Sequence, residues 1–230
     1  MALPAARGGK SDFLGFSVYA ANRKITTLLF DWDGTLLDSA DRSFLAFEKA
    51  LREFGIILTS EAYANCYAPN WYTMYEALNL PTECWHQANE LWIQHYGQES
   101  SELVPDARET LLSLGRKGYS LGIVTSGTRV RVTREIDELN LSSVFEVVVG
   151  SEDVENKKPH PEGLEKAMAL LNAEKRSCSY IGDAPEDIQM GKNAEVLTVA
   201  VPSSFPTSRH LAKAQPDIHV ASIKEVLLHF

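Results

Sequence analysis

Ile25-Thr26-Thr27-Leu28-Leu29-Phe30-Asp31-Trp32-Asp33-Gly34-Thr35 is the stretch on which the fold turns. The run from Ile25 to Phe30 is apolar and β-branched without alternation, which a strand with one wet face would not tolerate, so it reads as a buried parallel strand. That strand delivers its last residue to Asp31. Two carboxylates one residue apart at the mouth of a buried strand repel each other unless a cation joins them. A plain turn, with an Asp as helix cap and Gly34 supplying positive φ, accounts for the glycine but not for both acids.

Downstream of this strand the periodicity changes. From Ser39 the apolar positions Phe44, Phe47, Leu51 and Phe54 share a helical face, Glu48 and Arg52 form an i,i+4 pair, and Gly55 marks a stop. Down to about Leu103 the text stays helical or loop-like, broken at Pro69 and Pro81, with another helix over Trp85 to Tyr96 and no β-branched run. Residues 40–104 therefore read as a helical insertion. From Pro105 an alternation begins: helix Asp106 to Lys117 closed by Gly118, strand Ser120 to Thr125, helix Arg129 to Leu139, strand Phe145 to Val149. It continues with helix Pro161 to Leu171, strand Ser177 to Ile181, helix Pro185 to Asn193 and strand Val196 to Val201. A strand at Ile218 to Val220 and a helix from Ser222 complete the chain. Strands separated by single helices require parallel crossovers, so the fold class is α/β, with a core of 25–39 plus 105–230.

Composition limits the partners. The 230 residues are 44% hydrophobic and 23% charged, as expected of a globular chain with a real core. Lys and Arg number 22 against 31 Asp and Glu, and the resulting charge of −9 repels a phosphate backbone, so no nucleic-acid partner is expected. No apolar run reaches the roughly 18 residues of a membrane helix, and no signal-peptide h-region opens the chain, so neither membrane insertion nor secretion is expected. Cys66, Cys84 and Cys178 are far apart and form no CxxC pair, which points to a reducing cytoplasm. Residues 1–24, with Arg7, Lys10, Arg23 and Lys24 against Asp12 and a Gly8-Gly9 pair, read as a loosely attached extension that is not Ser-rich enough for a transit peptide. The oligomeric state is not legible.

In an open parallel sheet ligands bind beyond the carboxyl ends of the strands. Besides the Asp31 and Asp33 pair, three more predicted strand ends carry polar groups. Thr125-Ser126-Gly127 offers hydroxyl and N–H groups at a helix start, a ready anion site that could equally be an ordinary cap. Lys157-Lys158-Pro159-His160-Pro161 could turn Lys158 inward, although paired loop lysines are usually solvated. Gly182-Asp183-Ala184-Pro185-Glu186-Asp187 adds a second acid cluster, in which Asp183 alone could serve as a helix cap. Independent caps would not need an acid pair, a hydroxyl, a lysine and a second acid cluster in this order.

Asp31-x-Asp33-Gly-Thr35, Thr125-Ser126, Lys158-Pro159 and Gly182-Asp183-x-x-x-Asp187 resemble the motifs of the haloacid dehalogenase superfamily, over Ile25 to about Val201. The insertion is similar in placement to the small helical cap of the phosphoglycolate phosphatase-like branch, which the run Gly182 to Gly191 also favours. The resemblance implies a Rossmann-like core, Mg²⁺, and hydrolysis of a small-molecule phosphate monoester through an aspartyl-phosphate. It makes Asp31 the nucleophile, Asp33 the acid and base, and Asp31, Asp183 and the Asp33 carbonyl the metal ligands, with Asp187 orienting a metal-bound water. Thr125, Ser126 and Gly127 would hold phosphoryl oxygens and Lys158 would offset charge on the phosphate and on Asp31.

Three alternatives remain open. A dehalogenase of the same fold needs neither the metal nor the acid at Asp33. A sugar-phosphate mutase is expected to place a His where this chain has Ser43. A non-catalytic binding module would usually lose a motif residue. The leaving group is read from the insertion, where no Lys or Arg occurs between Glu53 and Ala107 and eight tyrosines and tryptophans stand instead: Tyr63, Tyr67, Trp71, Tyr72, Tyr75, Trp85, Trp92 and Tyr96. Most of these are expected in a small helical core. Unless Arg42, Lys49 or Arg52 reaches the site, a second anionic group has no partner there, so uncharged leaving groups such as sugars or nucleosides are expected.

Overall fold

A computed structural model of the chain describes residues 24–97 and 100–230, and the reading of 1–24 as an extension lies, but for Lys24, outside them. The described residues form one parallel sheet of β1 (Thr27–Phe30), β2 (Ser120–Val124), β3 (Val147–Val149), β4 (Cys178–Gly182), β5 (Leu197–Ala200) and β6 (Ile218–His219), in the order β3-β2-β1-β4-β5-β6. Every strand read from the sequence is present, several of them trimmed at the ends. The order reverses about β1, whose neighbours β2 and β4 lead away in opposite directions. Such a switch point opens a crevice at the carboxyl ends of β1 and β4. Asp31 follows the first of these strands and Asp183 the second.

Both faces of the sheet are covered, which explains the unbroken apolar run of β1. Leu28 and Phe30 face a cluster with Leu111 and Leu114 of α5 (Ala107–Arg116), Val132 and Ile136 of α6 (Arg129–Glu138), and Ile223 and Val226. Leu29 faces the other way, towards Leu164, Ala167 and Met168 of α7 (Glu162–Leu170) and Met190 of α8 (Pro185–Asn193). One helical reading needs correcting: the segment after Ser222 is a 3₁₀ stretch, Ile223–Leu228, and another 3₁₀ stretch, Pro206–Ala214, has no counterpart in the sequence reading. In a 3₁₀ turn the repeat is three residues, so the 3.6-residue pattern does not find it.

Between β1 and β2 lie α1 (Ala40–Arg52), α2 (Ser60–Cys66), α3 (Trp71–Ala77) and α4 (Trp85–Tyr96). They build their own apolar cluster around Phe47, Leu51, Tyr63, Met74, Tyr75, Trp92 and Tyr96. The entry and exit strands of this segment are tied to each other, with Asp38 N donating to Glu102 O at 2.8 Å and Val104 N to Leu36 O at 2.9 Å. Among the described residues, no helix is long and apolar enough to cross a membrane.

Gly122 on β2 is a point of tight packing between neighbouring strands. A Cβ there would stand 2.6 Å from Val147 Cγ1 and 2.9 Å from Leu29 Cδ2. Gly122→Ala is therefore expected to destabilise the fold by about 1–3 kcal/mol in urea denaturation through overpacking. Adding Val147→Ala should recover part of that loss. If the two costs simply add, the clash with Val147 is not the cause.

Candidate active site

The turn after β1 is built around a backbone that doubles back. Leu36 N and Leu37 N both donate to Trp32 O, at 3.0 and 2.9 Å, and Gly34 N donates to Leu37 O at 2.8 Å. Gly34 has φ +85°, and a Cβ on it would lie 2.5 Å from Asp183 Oδ2. Glycine is thus required twice, once for the conformation and once to let Asp183 approach.

Around this turn the structure gathers Asp31, Asp183 and Asp187, whose carboxylate oxygens lie within 4.8 Å of one another. All three are buried. Lys158 Nζ donates to Asp31 Oδ1 at 2.6 Å and to Asp187 Oδ1 at 2.7 Å, so the loop lysine does turn inward. Asp183 is held by hydroxyls, Thr35 Oγ1 at 2.8 Å and Ser203 Oγ at 2.6 Å. Asp187 Oδ2 accepts from Asp183 N at 3.1 Å and Ala184 N at 3.0 Å. The cap of α8 is thus Asp187, reaching back from within the helix, while Asp183 is left facing the cluster. Thr125 and the loop after it complete the rim, with Gly127 N donating to Thr125 Oγ1 at 3.0 Å.

Asp33 stands apart from the other three acids. Its Oδ1 accepts from Ser39 Oγ at 2.9 Å, Tyr96 OH at 3.2 Å and Arg131 Nη1 at 3.2 Å, and its Oδ2 accepts from Arg131 Nη2 at 2.5 Å. Neither Arg131 nor Ser203 was singled out in the sequence. Arg131 and Glu135 form an i,i+4 pair on α6, a pattern that normally marks a solvated face. The usable signal was their position beside Val132 and Ile136, the inward stripe of the same helix.

Burial and charge act on these groups in opposite directions. Burial pushes Asp31 up to about 7 although Lys158 pulls against it. Asp183 rises well above the usual carboxylate range, through burial and then through the charges of Asp31 and Asp187. Burial would raise Asp33 as well, but the Arg131 charge and the hydrogen bonds from Arg131, Ser39 and Tyr96 outweigh it and hold that carboxyl below its ordinary value. Lys158 goes up, because its two carboxylate partners overcome the desolvation that would lower it. Hard oxygen donors packed this closely, with too little positive charge among them, suit a hard divalent cation.

Two cavities share this rim. The inner one, about 50 Å³, is lined by Asp31, Asp33, Thr125, Lys158, Asp183 and Asp187 among others. The outer one, about 270 Å³, takes Trp71, Tyr72, Asn89 and Trp92 from the insertion and Thr128 and Lys157 from the core. Trp71, Trp92, Ser126, Arg131 and Lys158 line both. Of the eight aromatics, Tyr67, Trp71, Tyr72 and Trp92 thus reach a cavity, while Tyr63, Tyr75, Trp85 and Tyr96 serve the helical cluster. Arg42, Lys49 and Arg52 line neither cavity. Arg42 donates instead to Glu135 at 2.9 Å, and Arg52 pairs with Glu48.

Lys158→Met would leave Asp31 and Asp187 buried without their cation, at a cost of about 3–5 kcal/mol in metal-free buffer at pH 8. Folding raises Asp31 from 3.8 to about 7, so the folded state binds its proton more tightly and stability falls as pH rises across that window. Without Lys158 the fall should be steeper, and the penalty measured by urea denaturation should shrink at pH 5. A penalty independent of pH would mean that the lost packing of the side chain, not its charge, is responsible.

The sequence pattern of the haloacid dehalogenase-like hydrolases matches residues 28–201. A curated pyrophosphatase, PpaX of Listeria innocua, is 33% identical over 209 residues, covering 89% of this chain and 95% of its own. In fold the chain resembles a predicted phosphoglycolate phosphatase from Haemophilus somnus, at 20% identity and TM-score 0.79 over 90% of this chain and 98% of that one. It also resembles CbbY of Rhodobacter sphaeroides, solved with phosphate, at 22% identity and TM-score 0.75 over 88% and 96% of the two chains.

Proposed function

The chain belongs to the haloacid dehalogenase-like hydrolases, and on that premise we propose that it is a Mg²⁺-dependent phosphatase acting on a small-molecule phosphate monoester through Asp31. The observation that carries this reading is the meeting of Asp31, Asp183, Asp187 and Lys158 at the switch point, with Thr125 on the same cavity wall. In the first step an Asp31 oxygen bonds to phosphorus, the ester P–O bond breaks, and Asp33, which has to take up a proton against the pull of Arg131 beforehand, passes it to the departing oxygen. In the second, Asp33 takes a proton from water, whose oxygen displaces the Asp31 carboxylate from phosphorus, giving inorganic phosphate and the starting enzyme. Thr125, Ser126 and Gly127 hold phosphoryl oxygens, and Lys158 balances charge on Asp31 and the phosphoryl group. Mg²⁺ held by Asp31, Asp183 and the Asp33 carbonyl, with Asp187 beside them, supplies the positive charge that this cluster and a bound phosphoryl group otherwise lack.

The helices of 40–104 act as a cap on a core of 25–39 and 105–230, and their aromatic faces receive the leaving group. Arg131 lines the outer cavity, but its charge is already committed to Asp33 and Glu135. An uncharged organic group packed on Trp71, Tyr72 and Trp92 therefore fits best. A second reading, in which the leaving group is itself phosphate as the name of the Listeria protein suggests, draws on Lys157, whose ammonium bonds among the described residues only to the carbonyls of Ser151 and Val154. Mutase chemistry is disfavoured by Ser43, which lines the inner cavity at the position where a His is expected.

Asp31→Asn is expected to abolish turnover of p-nitrophenyl phosphate while the circular dichroism spectrum stays unchanged, and EDTA to silence the native protein until Mg²⁺ is returned. Full activity in chelated buffer would remove the metal from this reading, and activity of the Asn variant would remove the covalent step. In a panel comparing sugar phosphates and nucleoside monophosphates with phosphoglycolate and pyrophosphate, a neutral-group ester should give the highest kcat/KM. A tenfold advantage, about 1.4 kcal/mol, for either doubly anionic substrate would overturn the reading of the outer cavity.

A further inference from the structure

The motifs leave one buried charged cluster without a role. Glu135, whose side chain is 0% exposed, accepts from three elements at once: Trp32 Nε1 at 2.8 Å, Arg42 Nη2 at 2.9 Å and Arg131 Nη1 at 3.0 Å. Trp32 is the residue between Asp31 and Asp33, Arg42 lies on α1 and Arg131 on α6. From this anchor the Arg131 guanidinium reaches Asp33 with both terminal nitrogens and donates to Tyr96 OH at 3.2 Å. Its Nη2 also lies so close to the phosphate-side loop that a Cβ on Gly127 would be 2.1 Å from it.

Ion pairs as buried as these contribute little net stability, because desolvation of each ion offsets the attraction between them. What a guanidinium fork does supply is geometry, since it fixes a carboxylate in position and in plane. Here the fork is itself clamped by Glu135 and Tyr96, and it sits on the wall shared by the inner and outer cavities. A proton passed to a leaving oxygen has to be delivered from that wall, because the phosphoryl group occupies one side of it and the leaving group the other.

The geometry points to Arg131 and Glu135 as positioning residues that aim the Asp33 carboxyl at the leaving oxygen, Glu135 acting through Arg131. This rests on the reading of Asp33 as proton donor given above. Protonation matters for an alkoxide, which leaves poorly, and much less for p-nitrophenolate, which leaves unaided. Misplacing Asp33 must therefore harm alkyl esters selectively, and kcat/KM isolates the step in which the ester bond breaks.

The experiment compares kcat/KM for glycerol 2-phosphate and p-nitrophenyl phosphate in Asp33→Asn, Arg131→Met, Arg131→Lys and Glu135→Gln, with Tm recorded for each. A general acid is worth about 10²–10⁴-fold, so Arg131→Met should lose at least 100-fold on the alkyl ester and under tenfold on the aryl ester. Glu135→Gln, which keeps the side-chain shape, should shift the ratio in the same direction by a smaller factor, and Arg131→Lys should recover part of it. If Asp33→Asn shows the selective loss but Arg131→Met and Glu135→Gln lower both substrates equally, the positioning role is wrong and the cluster only supports the fold. Should Asp33→Asn itself lose both substrates alike, the proton-donor reading fails before the positioning role is reached. Should Arg131→Met not fold, the Glu135→Gln ratio decides on its own.

Discussion

Mutual repulsion among four carboxylates at one edge of a parallel sheet is the constraint on which the rest of this structure depends. Asp31, Asp33, Asp183 and Asp187 are drawn together because β1 and β4 are neighbours and both end at the same crevice. The chain meets the repulsion differently for each acid. Lys158 bridges Asp31 and Asp187, Arg131 takes Asp33, and among the described residues Asp183 receives only the hydroxyls of Thr35 and Ser203. Hydroxyls orient a carboxylate without neutralising it. Asp183 is accordingly the acid left with the least compensation, and it adjoins Asp31 rather than Asp33, so the shortage of positive charge is localised at the Asp31 side of the crevice.

This localisation separates two kinds of work within a few residues of sequence. Asp31 and Asp33 are neighbours but one, yet their carboxyls are pushed in opposite directions, Asp31 up by burial and Asp33 down by Arg131. Trp32 between them is wholly buried, and its indole is anchored on Glu135. The turn therefore cannot rotate to exchange the environments of the two acids. Environment alone sets the two like groups apart, but in the sense opposite to an ionised nucleophile and a protonated acid, so turnover requires positive charge beside Asp31 and a proton taken up by Asp33.

How much of this could be read beforehand follows from the kind of signal each part leaves. Strands buried on both faces read as unbroken apolar runs, and β1, β2 and β4 were found with Asp31, Thr125 and Asp183 directly beyond their ends, whereas Lys158 lies nine residues past the end of β3 at Val149. Lys158 was legible only as one member of an ordered set, since a loop lysine carries no local mark of facing inward. Arg131 and Glu135 were not legible from their charges, because an i,i+4 pair of opposite charge looks the same whether it is wet or buried, and only their place beside Val132 and Ile136 gave a signal. Ser203 follows β5 with no helix starting directly after it, so neither a cap nor a motif pattern drew attention to it. In the insertion the count of aromatics was right but their division was not readable. Trp92 belongs both to the helical core and to the cavity wall, and helical periodicity gives a residue one face, not two.

The shared wall explains why an insertion so poor in positive charge can still sit over an anionic site. Where it meets the crevice, the helical segment presents Tyr96 OH, which donates to Asp33, and indole and phenol faces, none of which adds negative charge. Its one deeply placed cation near the core, Arg42, is turned onto Glu135 and stacks on the Tyr96 ring at 3.8 Å. That contact fastens the insertion to α6 through the same carboxylate that holds Arg131. A change in how the helices sit on the core can therefore act on Asp33 through Glu135 and Arg131, while the stack of Tyr67 on Phe205, whose N–H donates to Ser203, gives a second route to Asp183. The aromatic chamber can thus vary with the identity of Trp71, Tyr72 or Asn89 while the charged centre stays fixed, whereas a substitution at Arg42 or Tyr96 would be felt on both sides of the wall.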